Sequence, residues 1–396
     1  MTVAHATATT PTTATTPAST TPASTAPEKP LKYIMVSSEI RRDLEQPLTY
    51  FDRLEIHHLY NRAPWNDMKQ GDFGERTKRF FTPLSLYWHL HNIRPDIIQG
   101  PEPLSLLMYP FLVAVYIYLL FHPKTKLVTL SLEPIPLDKK YHPLLVPMFQ
   151  VVLTRWFKRA SVIFWFDRGS YENLLRYGAP EDTLVNQLYG SWGVDLANFN
   201  PDGAKAFTNS EPTILYVGRL AKVKGVTYLI DAFKRLRERG QVAKLAIVGD
   251  GAERDALEQQ AKDSGFAQDI TFYGLIKNAD LPPYMRAADI FALPSITSKL
   301  WVQQLSMTAW QAMACGLPVV TTDTGQMREF TPEGTGFLVP EHDADALADA
   351  LGDLVADDSK RQTMRQAAIE YAHDRFDTVK NVARAEHTIL VRCGYL

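Results

Sequence analysis

Five short apolar segments alternate with amphipathic helical patterns in the second half of the chain, and this alternation constrains the fold more than any other feature. The segments are TILYV (213–217), KLAIV (244–248), ITFYG (270–274), DIFALP (289–294) and PVVTT (318–322). Between the first two, apolar side chains from Val226 to Leu236 recur at the spacing of one helix face. Strands that alternate with helices through short turns predict a parallel sheet with right-handed crossovers. We therefore predict a Rossmann-like, doubly wound α/β domain over residues 196–375.

The first half of the chain repeats this pattern less regularly. Its strand candidates are KYIMVSSE (32–39), DIIQG (96–100), KLVTLS (126–131) and ASVIFWF (160–166). A chain of 396 residues is long enough for two domains, so we predict a second Rossmann-like domain over residues 31–195. Two such domains place a cleft between them, lined by the carboxyl ends of their strands. Residues 376–396 are predicted to form a helix that returns to the first domain.

The composition of residues 1–30, the net charge and the spacing of the cysteines exclude several classes of function. Residues 1–30 are a Thr, Ala, Pro and Ser tract without large apolar side chains, which predicts a disordered tail rather than a secretory signal. A formal net charge of -2 provides no general attraction to nucleic acid. The two cysteines, Cys315 and Cys393, have neither disulfide nor zinc spacing. These features are typical of a cytoplasmic protein that has no nucleic-acid partner.

One apolar stretch, from Pro103 to Pro123, approaches the length of a membrane-spanning helix. Pro110 is expected to interrupt it, and a strand pattern follows directly, so we favour a core helix over a membrane span. A helix that lies at the membrane interface is a third interpretation. The nearby LTRWFKRAS, with Trp156 and Phe157 among its cations, has the basic and aromatic mixture of such surfaces.

Two loops at predicted strand ends carry candidate binding residues. In YVGRLAKVKGV, Gly218 permits a tight turn, and Arg219 and Lys224 project at the carboxyl end of the sheet. Two cations beside helix N-terminal amides can bind a diphosphate, although a solvated basic turn fits the spacing equally well. In IVGDGAER, Gly249 and Gly251 allow a ligand to approach the backbone closely, and the Asp250 between them is expected to cap the following helix.

The stretch SKLWVQQLSMTAWQAMACGLPVVTTDTGQM (298–327) forms a third candidate. Ser306 is expected to be the N-cap of a helix that ends at Gly316. Gln303 then lies in the loop before that helix and Gln311 lies inside it, both directed at the same cleft. The backbone amides of Leu305, Ser306 and Met307 would face an anion there.

Taken in order, GRLAKVKG, GDG, the stretch ADIFALPSITSKLWVQQLSMTAWQAMACGLPVVTTDTG and EGTGFLVPEHDADAL resemble the C-terminal half of a GT-B glycosyltransferase of family 4. The resemblance implies a GT-B fold of two Rossmann-like domains facing a cleft. It also implies a nucleotide-sugar donor bound mainly by the second domain, transfer with retention of configuration, and no metal or cofactor besides that donor substrate.

By position, the resemblance assigns roles to individual residues. Arg219 and Lys224 would hold the donor diphosphate, while Leu275 and Ile276 would meet the nucleobase. The amides of residues 305–307 would contact the donor phosphate and sugar. Gln311 occupies the place of a glutamate that binds the ribose hydroxyls, and Gln303 the place of a glutamate that contacts the donor sugar.

The chain departs from that family in three places. Both glutamates of the paired signature are amides, at Gln303 and Gln311, the glycine-rich loop after the first strand is SSEIRRDLEQP, and Ser131 stands where related enzymes often have histidine. An amide keeps one acceptor oxygen but loses the negative charge. Two hypotheses therefore remain open at this stage. One is a glycosyltransferase that moves a hexose to a lipid-linked or cell-envelope glycan acceptor, in peripheral contact with the inner face of the membrane. The other is a catalytically impaired protein that binds a nucleotide-sugar or a partner transferase.

Two further patterns are set aside as metal sites. Asp343 and Asp345 begin an amphipathic helix, where acidic side chains cap the N-terminus. His89 and His91 are two residues apart on a predicted helix and cannot share a face. The sequence therefore predicts no metal ligand.

Overall fold

The computed structural model describes residues 29–40, 42–62, 74–188, 193–299 and 301–396. The tail predicted over residues 1–30 lies outside these ranges up to residue 28. Within them, the strands are β1 (Leu31–Ser37), β2 (Leu54–Tyr60), β3 (Thr77–Arg79), β4 (Ile97–Gln99), β5 (Lys126–Ser131), β6 (Ala160–Trp165), β7 (Leu184–Asn186), β8 (Thr213–Val217), β9 (Lys244–Val248), β10 (Ile270–Gly274), β11 (Ile290–Leu293), β12 (Val319–Thr322) and β13 (Gly336–Val339).

The helices alternate with these strands. They are α1 (Arg42–Glu45), α2 (Pro83–Ile93), α3 (Tyr109–Phe121), α4 (Leu137–Lys140), α5 (Val146–Arg159), α6 (Arg168–Arg176), α7 (Val226–Glu238), α8 (Arg254–Asp263), α9 (Pro282–Ala287), α10 (Met307–Ala314), α11 (Met327–Phe330), α12 (Ala344–Ala356), α13 (Asp358–Arg375) and α14 (Thr378–Cys393).

The strands form two fully parallel sheets. The first has the order β3-β2-β1-β4-β5-β6-β7 and the second the order β10-β9-β8-β11-β12-β13. In both sheets the chain reverses its direction of travel beside the first strand, between β1 and β4 and between β8 and β11. Such switch points open a crevice at the carboxyl ends of the strands. The prediction of two doubly wound α/β domains is confirmed.

The predicted segments at 213–217, 244–248 and 270–274 coincide with β8, β9 and β10. The strands β2, β3, β7 and β13 were not predicted. Strand β2 contains Glu55 and two histidines, so it lacks the continuous apolar run that identifies a buried parallel strand. The strands β3 and β7 have three residues each and lie at the edges of their sheet.

Only the part of the apolar stretch from Tyr109 to Phe121 forms α3, so no continuous helix runs from Pro103 to Pro123 and the break lies next to Pro110, as expected. Pro110 occupies the first turn of the helix, where its missing N–H would have had no helical partner. Phe111, Leu112 and Val115 are buried against the sheet, so the helix does belong to the core. No helix in the described part of the chain is both long and apolar enough to cross a bilayer.

Helix α14 joins the end of the chain to the first domain. The Glu386 carboxylate accepts hydrogen bonds from the backbone N–H groups of Arg53 (2.7 Å) and Leu54 (3.0 Å), at the start of β2. The Thr388 hydroxyl donates to Gln187 Oε1 (2.8 Å). A helix that follows the second domain in sequence therefore packs on the first domain in space.

Candidate functional site

A cavity of about 430 Å³, which we term the C-terminal cavity, opens at the carboxyl ends of β8 and β11. Eight of the predicted site residues line it: Gly218, Arg219, Lys224, Gln303, Leu305, Ser306, Met307 and Gln311. The described lining contains two cationic side chains and no carboxylate. The cavity is therefore suited to an anion.

The loop after β8 positions the two cations. The Tyr216 hydroxyl donates to the Arg219 backbone carbonyl (2.9 Å) and fixes the start of the loop. Gly225 ends the loop with φ of 64°, and a Cβ atom there would lie 1.9 Å from the Pro294 carbonyl oxygen. Only glycine fits this position, so the turn that presents Lys224 depends on it.

Lys224 is held as a partly desolvated ammonium. Burial, and secondarily the nearby charge of Arg219, lowers the pKa of Lys224 to about 8. Its Nζ donates to Gln303 Oε1 (2.8 Å) and lies 4.7 Å from the centre of the Trp301 ring. An anion in the cavity would offset the cost of desolvating the Lys224 ammonium, because an opposite charge favours the protonated form.

Gln303 uses all of its hydrogen-bonding atoms inside the protein. Its Oε1 accepts from Lys224 and from the Ser295 hydroxyl (2.9 Å), and its Nε2 donates to the Leu305 carbonyl (3.0 Å). Only 4% of Gln303 is exposed. A glutamate at this position would have no N–H to donate to the Leu305 carbonyl, and its negative charge would compensate the positive charge of Lys224. The amide therefore leaves the charge of Lys224 uncompensated.

Gln311 is satisfied at one end only. Its Nε2 donates to Asn278 Oδ1 (3.1 Å), whereas its Oε1 is buried and has no hydrogen-bond partner among the described residues. Gln311 is 3% exposed and lines the cavity. A buried carbonyl without a partner costs about 1–3 kcal/mol. A hydroxyl of a bound ligand would remove that cost.

Helix α10 directs its N-terminus at the cavity. The Ser306 hydroxyl accepts from the Ala309 N–H (3.3 Å), which confirms Ser306 as the N-cap. Met307 begins the helix, so the first-turn amides that the cap leaves unpaired lie at the cavity wall. The positive end of the helix dipole adds to the attraction for an anion.

Four predicted site residues lie elsewhere. Gly249 and Gly251 do not line the C-terminal cavity, and a Cβ atom on them would lie 1.8 Å from the Gly218 carbonyl oxygen and 2.2 Å from that of Leu220. Only glycine fits at these two positions, because the loop carrying Arg219 passes directly against their backbone. Leu275 and Ile276, after β10, also lie outside the lining, and Leu275 is 69% exposed.

The two capping predictions had different outcomes. Asp250 does not cap α8, because the N-cap residue of that helix is Glu253. The Asp250 carboxylate instead accepts a hydrogen bond from the Gly251 N–H (2.7 Å) within its own turn. Asp343 does cap α12, since its carboxylate accepts from the Ala346 N–H (2.9 Å).

A second cavity, of about 490 Å³, lies at the carboxyl ends of β1, β4 and β5, and we term it the N-terminal cavity. Leu132 and Gln304 line both cavities, and Gln304 Nε2 donates to the Leu132 carbonyl across the cleft. The Ser131 hydroxyl donates to Glu102 (2.8 Å), and burial raises the pKa of Glu102 to about 7. Neither Glu102 nor Gln304 was predicted from the sequence, because no motif marks them.

The sequence of this domain pair is similar to those of known glycosyltransferases. Residues 202–371 match the family described as glycosyl transferases group 1. The chain is 36% identical over 242 residues to a GDP-mannose-dependent alpha-(1-6)-phosphatidylinositol monomannoside mannosyltransferase of Mycolicibacterium smegmatis, covering 59% of this chain and 63% of that protein. It is 33% identical over 197 residues to a D-inositol 3-phosphate glycosyltransferase of Corynebacterium jeikeium, covering 46% of each. The chain thus spans less than two thirds of the length of these relatives.

Solved structures share the fold over most of the chain. Anabaena Alr3699/HepE in complex with UDP has a TM-score of 0.71 at 19% identity, covering 91% of this chain and 100% of that one. The sucrose-phosphate synthase of Thermosynechococcus elongatus has a TM-score of 0.68 at 18% identity, covering 91% and 99%. At this identity the similarity establishes the GT-B architecture alone.

Proposed function

We propose that this chain, which resembles GT-B glycosyltransferases of family 4, transfers a hexose from a nucleoside diphosphate sugar to a lipid-linked or cell-envelope glycan acceptor, with retention of configuration. The observation that carries this proposal is the C-terminal cavity, where Arg219 and Lys224 face a space without carboxylates beside the unpartnered carbonyl of Gln311. A diphosphate with a hydroxyl-bearing sugar on each side fits those groups.

In the proposed reaction the two cations act on the leaving group. As the bond between the sugar and the diphosphate breaks, negative charge grows on the diphosphate oxygens. Arg219, Lys224 and the first amides of α10 are already oriented toward that position, so they stabilise the charge without reorganising. Gln311 Oε1 accepts a ribose hydroxyl, and Gln303 holds the Lys224 ammonium in place. The proposal requires no metal or cofactor.

GDP-mannose is the first donor to test, because the relative with 36% identity is named as dependent on it. We expect calorimetry to show that GDP-mannose binds and that UDP-glucose and ADP-glucose bind more weakly. The same samples are then incubated with phosphatidylinositol monomannoside in detergent, and mannose transfer is followed with radiolabelled donor. Transfer to the lipid would support the proposal, and absence of binding by all three donors would contradict it.

A second candidate function is favoured by the two glutamines. If Gln303 and Gln311 have ended catalysis, the chain is a nucleotide-sugar binding or partner protein. In that case GDP-mannose binds but neither transfer nor hydrolysis occurs. The same titration and assay therefore distinguish the two functions.

The proposed lipid acceptor is supported by an exposed apolar surface on the first domain. Right-handed crossovers that advance in one direction place α2, α3 and α5 on one side of the first sheet. Aromatic ring contacts join the three helices into one layer. The ring centres of Tyr87 and Tyr118 are 5.8 Å apart, and those of Tyr109 and Phe149 are 4.6 Å apart. We term the apolar face a set of six apolar side chains on this layer that are more than half exposed, on the three helices or just before α5: Leu84, Trp88, Leu120, Phe121, Leu144 and Met148. Val151, on α5, is exposed as well.

The charges around the apolar face favour an anionic bilayer as its partner. The helices α2, α3 and α5 contain no acidic residue, and α5 presents exposed Arg155 and Lys158. Contact with a second copy of the same face would oppose like charges. Trp156 and Phe157 were expected to contribute to a membrane-interface surface, but both are fully buried. The contact with the membrane would therefore come from exposed neighbouring residues.

We expect the protein to sediment with vesicles that contain phosphatidylglycerol and much less with pure phosphatidylcholine vesicles. A Leu84→Glu/Leu144→Glu variant should bind the anionic vesicles at least about tenfold more weakly, since each buried leucine contributes about 1.5–3 kcal/mol. Val242→Glu, at a residue 53% exposed on the second domain, is the matched control and should bind normally. Equal binding by all three proteins would exclude the apolar face as the membrane contact, and a shift from dimer to monomer in the double variant would identify a second copy as its partner.

A further inference from the structure

A serine, a histidine and a glutamate lie in a row at the carboxyl end of the first strand. Ser37 Oγ is 2.7 Å from His58 Nε2, and the other ring nitrogen, Nδ1, contacts Glu45 Oε1. Thr77 Oγ1 donates to the second Glu45 oxygen (3.2 Å) and fixes the carboxylate. This is the arrangement of a hydroxyl, a base and a carboxylate that orients the base.

The order of burial gives this row a direction. Ser37 lines the N-terminal cavity, whereas His58 is 1% exposed and lies behind it on β2. Strands β1 and β2 are parallel neighbours, and Glu45 comes from α1, which follows β1. A molecule in the cavity can therefore reach the hydroxyl of Ser37 but not the imidazole.

The hydrogen-bond inventory of Ser37 allows two proton positions. Its hydroxyl has one proton but lies within bonding distance of two acceptors, the Glu39 carbonyl (2.6 Å) and His58 Nε2. A neutral imidazole that donates through Nδ1 to Glu45 accepts the Ser37 proton at Nε2. An imidazolium instead donates to Ser37 Oγ, and the hydroxyl then donates to Glu39. In both states each ring nitrogen of His58 is hydrogen-bonded, and only the Ser37 proton changes its acceptor, so a proton can move onto the ring without a rearrangement of heavy atoms.

The N-terminal cavity, which Ser37 lines, adjoins the C-terminal cavity. Leu132 and Gln304 line both, so a group in the N-terminal cavity can adjoin a donor in the C-terminal cavity. The N-terminal cavity contains Glu39, Glu102 and Glu133 and no cation in its described lining. Hydroxyl-rich acceptors suit these carboxylates, which accept hydrogen bonds from hydroxyl groups.

We infer that Ser37, His58 and Glu45 form a proton relay that accepts the proton of the attacking hydroxyl. This inference rests on the proposed function. On the face of the sugar from which the diphosphate departs, so that configuration is retained, the acceptor oxygen forms a bond to the anomeric carbon. The carbon–oxygen bond to the diphosphate breaks, and that electron pair leaves with the diphosphate. The acceptor proton passes to Ser37 Oγ, and the proton of Ser37 passes to His58 Nε2. The imidazolium is stabilised by Glu45 until it returns its proton to solvent.

Other charged groups surround the relay and contribute to its pH dependence. On the cavity side these are Glu39, which pairs with Arg62 (3.4 Å), and Glu102. On β2 the Tyr60 ring lies 6.3 Å from the ring of His58. Burial raises the pKa of Tyr60, so this phenol stays neutral over the range in which an imidazole titrates.

The relay is tested by comparing transfer with donor binding. Ser37→Ala and His58→Gln should each lower the rate of mannose transfer from GDP-mannose to phosphatidylinositol monomannoside by about 100-fold, as expected for lost general-base catalysis. The dissociation constant of GDP-mannose should remain within twofold of wild type, because the donor lies in the other cavity. Ser37→Thr retains the hydroxyl and should retain transfer. The acid limb of the wild-type pH–rate profile should disappear in Ser37→Ala.

Ser210→Ala is the control, since Ser210 is exposed, lines neither cavity and is replaced by the same serine-to-alanine change. The midpoint of thermal unfolding is measured for each variant, because His58→Gln removes a buried ring. Full transfer by a folded Ser37→Ala variant, or an unchanged pH profile, would overturn the relay alone. Failure of the wild-type protein to transfer mannose would overturn the proposed function and the relay with it.

Discussion

Replacing Arg219 with alanine is expected to weaken GDP-mannose binding about 10- to 150-fold, because a charge-assisted contact to the diphosphate contributes about 1.5–3 kcal/mol. Arg219 lines the C-terminal cavity from an exposed position. The conformation of its loop depends on the Arg219 backbone carbonyl, which accepts from Tyr216, so truncation of the side chain should leave the fold unchanged. Calorimetric titration of both proteins with GDP-mannose measures the effect.

Lys222→Ala is the control for this experiment. Lys222 is exposed in the same loop and carries the same charge, but it does not line the cavity. It should bind GDP-mannose within about twofold of wild type, since an exposed charge outside the site acts only through a screened field. Equal affinities for all three proteins would exclude the C-terminal cavity as the donor site. Equal losses in both variants would indicate general electrostatic attraction rather than a specific contact.

The C-terminal cavity was largely predictable because its residues follow buried strands directly. A continuous apolar run such as residues 213–217 identifies a parallel strand, and the loop after it must lie at the carboxyl edge of the sheet. Arg219 and the loop containing Gln303 were placed there for that reason. The helix cap at Ser306 was predictable from chemistry that is local in sequence.

The partners of these residues were not predictable in the same way. Whether Gln303 faces a ligand or the protein depends on where the fold places Ser295 and Leu305, which bond to the two ends of its amide. Gly249 illustrates the same limit. A glycine at a strand end is equally consistent with a ligand contact and with a neighbouring loop, and here the neighbour is the Gly218 carbonyl.

Ser37, His58 and Glu45 come from three different elements, β1, β2 and α1. The cluster was not predictable because β2 was not predicted from the sequence. His58 belongs to β2, in which residues 55–57 are partly exposed whereas Leu54 and residues 58–60 are buried. The sequence alone supports only the interpretation of His57 and His58 as strand or surface residues, with no partner for either ring. Its burial and its distance from Ser37 follow from the register that pairs Met35 with His58.

Replacing Lys224 with methionine is expected to have opposite effects on binding and on stability. Loss of the ammonium should weaken GDP-mannose binding by about 30- to 100-fold, as for other charge-assisted contacts. The free protein should become more stable by about 1–2 kcal/mol at pH 7, because a methionine of similar length removes a buried charge. The Gln303 carbonyl keeps its bond from Ser295, so it is not left without a donor. Urea unfolding and calorimetry measure the two effects.

The stability difference should depend on pH in a defined direction. The pKa of Lys224 is about 8 in the folded protein, below its ordinary value near 10.5. Between about pH 8 and pH 10.5 the unfolded wild-type chain binds more protons at this residue than the folded chain, so this group makes wild-type stability rise with pH across that window. The advantage of the methionine variant should therefore be full at pH 7 and should shrink toward pH 10. Lys222→Met, at an exposed position, should change neither stability nor affinity. A methionine variant that is less stable than wild type at pH 7 would mean that Gln303 and Trp301 compensate the buried ammonium in the absence of any anion.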